Sequence, residues 1–109
     1  MDSVLSYTIH GLEWRNNAGQ LHRLHGPALI LRDGTKEWYT NGKLHRIDGP
    51  AIEHANGAKL WYLNGMRHRI DGPAFVDFNM YREFWYRDVR IPEVTWYSDE
   101  FQCKIIMEG

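Results

Sequence analysis

Three copies of a histidine-containing motif hold the residues of this chain whose types and spacing could do chemistry. The motif reads His-Arg-Ile-Asp-Gly-Pro-Ala at residues 45–51 and again at residues 68–74. A carboxylate near a histidine, as in His45 with Asp48 or His68 with Asp71, can orient the imidazole as a general base. In the first copy, residues 22–28, a second histidine replaces the aspartate, so two imidazoles of one motif could bind a metal.

The regular recurrence of the motif argues against both chemistries. An active site needs converging groups with unequal roles, whereas a repeat sets equivalent groups apart. If each repeat adds two strands about 4.8 Å apart, successive motif histidines lie about 9.6 Å apart. A zinc ion needs each nitrogen within about 2.1 Å, so neighbouring motifs cannot share one, and His22 with His25 lack an identifiable third ligand. We therefore predict no catalytic residue, no metal and no cofactor.

The motif belongs to a longer repeat with a period of about 23 residues. Aromatic pairs keep step with it at spacings of 23 and 24 residues: Trp38-Tyr39, Trp61-Tyr62 and Trp85-Tyr86. Two further marks are turn-forming dipeptides: Asp33-Gly34 and Asn56-Gly57 before the aromatic pairs, Asn41-Gly42 and Asn64-Gly65 after them. Each unit thus holds short extended segments separated by turn signals.

One unit predicts a β-hairpin. Proline opens the segment 50–54, as suits the first residue of a strand. Asn56-Gly57 can supply the positive φ angles of a type I′ turn, and residues 59–63 form the return strand. Asn64-Gly65 then turns the chain again. The sequence therefore predicts an all-β fold: an antiparallel β-hairpin repeat array in a single curled sheet, without helices.

The length of 109 residues predicts one domain, residues 1–109, with hairpin repeats at 10–90 and an acidic cap at 91–109. The cap carries a net charge of −3. Within it, residues 94–97 and 101–107 are predicted to form a C-terminal capping hairpin that covers the exposed sheet edge.

Charge and cysteine content narrow the class of protein. A net charge of −1 makes nucleic acid an unlikely partner. The chain has no apolar run of about 20 residues and no leader-like start, so we expect no membrane insertion. A single cysteine, Cys103, fits a reducing compartment, and we expect a cytoplasmic location.

The repeated residues divide into a structural set and a candidate binding surface. Aspartate before glycine is a common turn former, and the motif arginines are expected to pair with an aspartate of their own or a neighbouring unit. The predicted structural set is Asp48, Gly49, Pro50, Asp71, Gly72 and Pro73. The candidate binding surface is Trp38, Tyr39, His45, Arg46, Trp61, Tyr62, His68, Arg69, Trp85 and Tyr86.

Alternation along a strand places the tryptophans of the aromatic pairs on one face and the tyrosines on the other. One layer cannot cover both faces, so the sheet must curl or present a face to a partner. Aromatic residues and arginine dominate binding hot spots, and a homodimer is the first partner to consider.

The units in which Trp-Tyr-x-Asn-Gly precedes His-Arg-x-Asp-Gly-Pro-Ala resemble the MORN-related hairpin repeats, in a variant found in proteins of bacteriophages and giant viruses. The resemblance covers about residues 10–90 and implies a scaffold or binding surface without an activity. It leads us to expect a non-catalytic protein-interaction module, such as a phage-encoded accessory protein that inhibits a host defence protein. The alternative is a binder of small, nucleotide-like ligands, while single-stranded nucleic acid is disfavoured by the charge.

Overall fold

A computed structural model describes residues 2–108, which form antiparallel strands followed by two short helices. The strands are β1 Val4–Thr8, β2 Gly11–Arg15, β3 Leu29–Leu31, β4 Lys36–Glu37, β5 Tyr39–Thr40, β6 Lys43–Leu44, β7 Ile52–Glu53, β8 Lys59–Leu60, β9 Tyr62–Leu63, β10 Met66–Arg67, β11 Phe75–Val76, β12 Arg82–Tyr86 and β13 Val89–Ile91. Nine of them form an open sheet in the order β1-β2-β3-β4-β7-β8-β11-β12-β13. The other four form two ribbons, β5-β6 and β9-β10. The prediction of an antiparallel, hairpin-linked β architecture is confirmed.

The predicted return strand at residues 59–63 is divided in two at Trp61. The Trp61 N–H donates to the Ala74 carbonyl at 2.8 Å, in the main sheet. Its carbonyl accepts from the His68 N–H at 3.1 Å, on the ribbon side. Trp38 divides the preceding return strand in the same way, between β4 and β5. The prediction of a single sheet is therefore wrong, because each of these tryptophans passes the chain from the main sheet to a ribbon.

The turns that follow the aromatic pairs have two residues with positive φ, as a type I′ turn requires. The φ angles are 48° and 83° at Asn41-Gly42, 50° and 82° at Asn64-Gly65, and 48° and 70° at Arg87-Asp88. Asn56-Gly57 is different, because only Gly57 has a positive φ, of 94°. There the His54 N–H donates to the Ala58 carbonyl at 2.9 Å across a three-residue loop. The prediction of a type I′ turn at this dipeptide is wrong.

The completely buried residues at the centre of the main sheet have small side chains. Ala28, Ala51 and Ala74 are 0% exposed. The Ala51 N–H donates to the Leu60 carbonyl at 2.7 Å, and its own carbonyl accepts from the Trp38 N–H at 2.7 Å. These are ordinary interstrand hydrogen bonds, and the alanine side chains bury little apolar surface. The packing of the hairpins therefore depends on side chains other than these alanines.

The predicted capping hairpin is wrong, because the C-terminal segment forms helices α1, Glu93–Trp96, and α2, Asp99–Glu108. The Phe101 N–H donates to Ser98 Oγ at 3.2 Å, and two acidic residues occupy the first turn of α2. Helical spacing brings Trp96 and Ile105 onto Phe84 and Tyr86, which together form the cluster of buried large side chains. Neither helix is long and apolar enough to span a membrane.

Met80 is expected to strain the hairpin loop between β11 and β12. This loop repeats the hydrogen bonds of the Gly57 loop, but Met80 occupies the glycine position with a φ of 67°. This backbone conformation costs an L residue about 1–2 kcal/mol, a cost that glycine does not have. Glycine loses more backbone entropy on folding, which offsets about 0.5–1 kcal/mol of the difference. Met80 is 76% exposed, so its side chain contributes little packing. Met80→Gly should therefore raise the free energy of unfolding by about 0.5–1 kcal/mol in urea denaturation.

The matched control reverses the exchange at the equivalent position. A Cβ built on Gly57 meets only Phe78 Cβ, at 3.9 Å, so Gly57→Met introduces backbone strain without a clash. This variant should lower the free energy of unfolding. Equal stability of Met80→Gly and the wild type would contradict the assignment of strain.

Candidate functional site

The three motif arginines lie on tryptophan rings of the preceding return strand. In each case the guanidinium carbon stands within the distance of a cation–π contact from the ring centroid. The pairs are Arg23 over Trp14 at 3.9 Å, Arg46 over Trp38 at 3.8 Å, and Arg69 over Trp61 at 4.0 Å. Arginine and tryptophan of the repeat are therefore one packing unit rather than two separate surface features.

Hydrogen bonds hold each guanidinium within its own motif. Arg69 Nη1 donates to the Pro73 carbonyl at 3.0 Å and Arg69 Nε donates to Asp71 Oδ1 at 2.8 Å. Arg46 makes the same bonds to Pro50 at 3.0 Å and to Asp48 at 3.2 Å. The arginines thus pair with the aspartate of their own unit, which was one of the two predicted pairings.

The motif glycines allow the guanidinium to approach the backbone. A Cβ built on Gly49 would lie 3.0 Å from Arg46 Cζ, and one on Gly72 would lie 2.9 Å from Arg69 Cζ. These distances are shorter than ordinary carbon contacts, so a side chain there would displace the arginine from its ring. Gly49 and Gly72 therefore position the stack, as their place in the structural set implies.

The motif histidines join successive hairpins. In all three copies Nδ1 accepts a backbone N–H from the turn of the next hairpin, 19 residues along the chain. The bonds are Asn41 N–H to His22 at 2.9 Å, Asn64 N–H to His45 at 2.9 Å, and Arg87 N–H to His68 at 2.8 Å. A neutral imidazole that accepts at Nδ1 carries its proton on Nε2. Asp48 and Asp71 bond to arginine instead, so neither orients an imidazole as a general base would need.

The fold changes the titration of the motif histidine His68. Burial lowers the pKa of His68 below its ordinary value, and the positive charge of Arg87 lowers it further. The residue is 6% exposed, and its ring lies 5.0 Å from that of Tyr86. The neutral imidazole is therefore the form that the fold stabilises.

Two grooves lie between successive motif loops. The larger, of about 780 Å³, runs between residues 45–49 and 68–71 and is lined by Trp61. The smaller, of about 680 Å³, runs between residues 23–26 and 45–48 and is lined by Trp38. We call them the motif grooves. Six predicted surface residues line them: Trp38, His45, Arg46, Trp61, His68 and Arg69.

The other four predicted surface residues lie away from the motif grooves. The Tyr39 hydroxyl donates to Glu37 at 2.7 Å, and burial together with this carboxylate raises the pKa of Tyr39. Tyr62 accepts a hydrogen bond from Arg67 at 2.9 Å, and Trp85 Nε1 donates to Glu83 at 3.0 Å. Tyr86 is 5% exposed in the C-terminal cluster, so its inclusion in a binding surface is corrected.

Sequence reasoning missed three exposed aliphatic residues of the motif loops. Leu24, Ile47 and Ile70 are 60%, 85% and 45% exposed and line the motif grooves. We call these three residues the aliphatic tips. Each follows the motif arginine directly, and an aliphatic side chain at that position in all three copies was the available signal. Within residues 2–108, no group of three potential metal ligands comes together.

Replacing Arg69 should cost far more stability than replacing its aspartate. Lysine keeps the charge of Arg69 but loses the planar contact with Trp61 and the fixed bonds to Pro73 and Asp71. We expect Arg69→Lys to lower the free energy of unfolding by about 1–3 kcal/mol. Asp71→Ala should cost less than about 1 kcal/mol, since the Asp71 side chain is 78% exposed. Urea denaturation checks both, and equal losses would contradict the ranking.

His68 should make stability depend on pH. The unfolded chain takes up a proton at His68 near pH 6.5, whereas the folded chain resists it, so the unfolded state binds more protons below about pH 6.5. The contribution of His68 is therefore complete above about pH 6.5 and falls as the pH drops through that value towards the lower folded pKa. His68→Asn, whose amide oxygen can accept the Arg87 N–H, should lose less stability than the wild type between about pH 7 and 5.

Denaturation midpoints at several pH values measure this difference. The control is His10→Asn, which replaces an exposed turn histidine and should keep the wild-type slope. A wild-type slope in His68→Asn would contradict the prediction.

Comparison with protein-family models, with curated proteins and with solved structures finds no match to this chain. The function must be inferred from the geometry of the motif loops. That geometry combines internally bonded arginines and histidines with exposed aliphatic tips beside two aromatic-lined grooves.

Proposed function

We propose that the chain is a non-catalytic protein-interaction module whose binding surface consists of the aliphatic tips and the motif grooves. The observation that carries this proposal is the exposure of Ile47, at 85%, beside polar motif groups that bond to one another. A catalytic group needs a free lone pair or proton aimed at a substrate. The motif histidines use Nδ1 for backbone bonds, and the arginines use Nε and Nη1 for bonds within the motif, with Arg46 also bonding to Glu53, which supports a binding role.

The spacing of the aliphatic tips sets the pattern of contacts that the surface offers to a partner. Each motif loop is separated from the next by one hairpin, so the tips recur at about twice the strand spacing, or about 9.6 Å. Between them, Trp38 and Trp61 line grooves that can accept apolar side chains of a partner. Asp48 and Asp71 stand exposed at the groove edges and favour basic groups on the partner. The surface therefore fits a protein face with aliphatic anchors and a basic rim.

The architecture is further proposed to be a MORN-like repeat array with a 23-residue period. Three independent contacts support it, because the arginine stack, the arginine bond to proline and the histidine bond to the next turn each occur in all three motifs. By that resemblance, we propose a phage-encoded accessory protein that binds and inhibits a host defence protein in the cytoplasm.

A nucleotide-like ligand is the second candidate, and the size of the larger motif groove favours it. A volume of about 780 Å³ lies within the range of small-molecule sites. Two features weigh against a phosphate there: Nε and Nη1 of each arginine already bond within the motif, and Asp48 and Asp71 offset the positive charge of Arg46 and Arg69. Calorimetric titration with nucleotides separates the two functions, since saturable heat supports the ligand and its absence supports the protein partner.

The proposed surface predicts that Ile47→Asp abolishes capture of the partner without unfolding the chain. The tip lies at the centre of the row and projects into solvent, so a charge there disrupts an apolar contact but no internal packing. Loss of a central hot spot costs about 2 kcal/mol or more, which corresponds to about 30-fold in affinity. Affinity capture from a host lysate, followed by titration of the captured protein, measures it.

The matched control is Ile106→Asp, which changes a residue of α2 that is 79% exposed. It should keep wild-type affinity, and both variants should keep the wild-type melting temperature. Equal binding by Ile47→Asp and the wild type would contradict the proposed surface.

A further inference from the structure

The first strand of the main sheet, β1, is an edge strand that no element within residues 2–108 covers. Its five residues, Val-Leu-Ser-Tyr-Thr, contain no charge and no proline, and four of them are exposed. Edge strands are usually protected by charges, prolines or covering elements because their free backbone groups template pairing. The opposite edge has such protection: β13 contains Arg90, and Pro92 and α1 follow it directly.

The ladder identifies which backbone groups of β1 face outward. The Trp14 N–H donates to the Ala28 carbonyl on the β3 side, so the neighbouring Glu13 directs its backbone groups to β1. Glu13 is opposite Ser6, which therefore bonds inward to β2. Leu5 and Tyr7, on either side of Ser6, direct their N–H and carbonyl groups away from the sheet.

We propose that β1 pairs antiparallel with β1 of a second copy of this chain, about a two-fold axis at Ser6. In this register Leu5 of each copy lies opposite Tyr7 of the other, and the two residues exchange N–H to carbonyl bonds in both halves of the pair. The result is one continuous sheet through two copies.

The side chains of β1 are complementary to themselves in that register. Leu5 and Tyr7 lie on one face of the strand and form two identical aliphatic–aromatic pairs across the axis. Val4 and Thr8, on the other face, form two pairs of β-branched residues, and Ser6 meets Ser6. No like charges oppose one another, so a second copy satisfies every position without a specialised partner.

The edge interface is separate from the motif grooves. No residue of β1 lines either groove, so pairing leaves both grooves of each copy free. The dimer would present two groove surfaces and bind a multivalent partner with increased avidity. Because the edge and the grooves share no residue, failure of one proposal leaves the other standing.

Disulfide formation tests the two-fold register. Position 6 faces itself in a non-hydrogen-bonded pair, where Cα atoms lie about 4.5 Å apart and a disulfide can form. In the background Cys103→Ser, which removes the exposed native cysteine, Ser6→Cys should give a covalent dimer under mild oxidation. The control Val4→Cys should stay monomeric, because each residue 4 lies about 14 Å along the strand from its counterpart. Equal crosslinking of the two variants, or none with Ser6→Cys, would overturn the proposal.

Sedimentation equilibrium of the unmodified protein provides the second test. We expect a reversible dimer whose fraction rises with concentration, and slower amide exchange at Leu5 and Tyr7 in the concentrated sample. Ser6→Lys places like charges across the axis but lies opposite Glu13 within its own hairpin, so the fold is kept. This variant should weaken dimerisation at least tenfold, whereas Val94→Lys on α1 should not. A wild-type monomer at all concentrations would overturn the proposal.

Discussion

The contact between arginine and tryptophan is the interaction on which the central hairpins depend. Strands of two residues give few ladder bonds, and the completely buried residues of these hairpins are alanines, which remove little apolar surface from water. Each stack adds a cation–π contact of about 0.5–2 kcal/mol. The charged bond to a proline carbonyl adds about 1.5–3 kcal/mol. The arginine bonds also fix the motif loop, so one side chain holds both the return strand and the loop that borders the motif grooves.

This use of the motif changes what its residues can do. An imidazole whose Nδ1 holds the next hairpin, such as His45, cannot turn that nitrogen to a substrate without releasing the turn. Asp48 accepts a hydrogen bond from Arg46, and Arg46 also stacks on Trp38 and donates to the Pro50 carbonyl. The residues of the types that catalyse reactions are therefore the ones whose polar groups bond within the fold. The aliphatic position between Arg46 and Asp48 carries no chemistry, makes no such bond and faces solvent.

The sequence predicts the hairpins because their turns have local sequence signals. It does not predict features that depend on contacts between residues far apart in the chain. Asn64-Gly65 and Asn56-Gly57 are the same dipeptide, yet Asn56 bonds its side chain to the Ala58 N–H in a longer loop. The break at Trp61 depends on hydrogen bonds to both ends of the following motif, at His68 and Ala74. Around residues 94–106, β-branched residues favoured strands, although Ser98 and two acidic residues gave a helix-start signal. Six candidate surface residues line the grooves, four of them in the motif loops and two the tryptophans on which the motif arginines stack; Tyr86 does not, because it packs in the cluster with Trp96 and Ile105.

The two ends of the sheet differ in a way that the local conformations reflect. Three non-glycine residues with positive φ and without an asparagine side chain lie in the last hairpin unit: Met80, Arg87 and Asp88. The conformation costs about 1–2 kcal/mol at Met80 and at Arg87, whereas aspartate tolerates it better, and this unit is the one that packs against the aromatic cluster of Phe84 and Trp96. A strained turn persists where surrounding packing over-determines it. Strand β1 has no such cluster against it within residues 2–108 and is held in the sheet through its ladder with β2, so pairing along its free edge would add to the contacts that hold it.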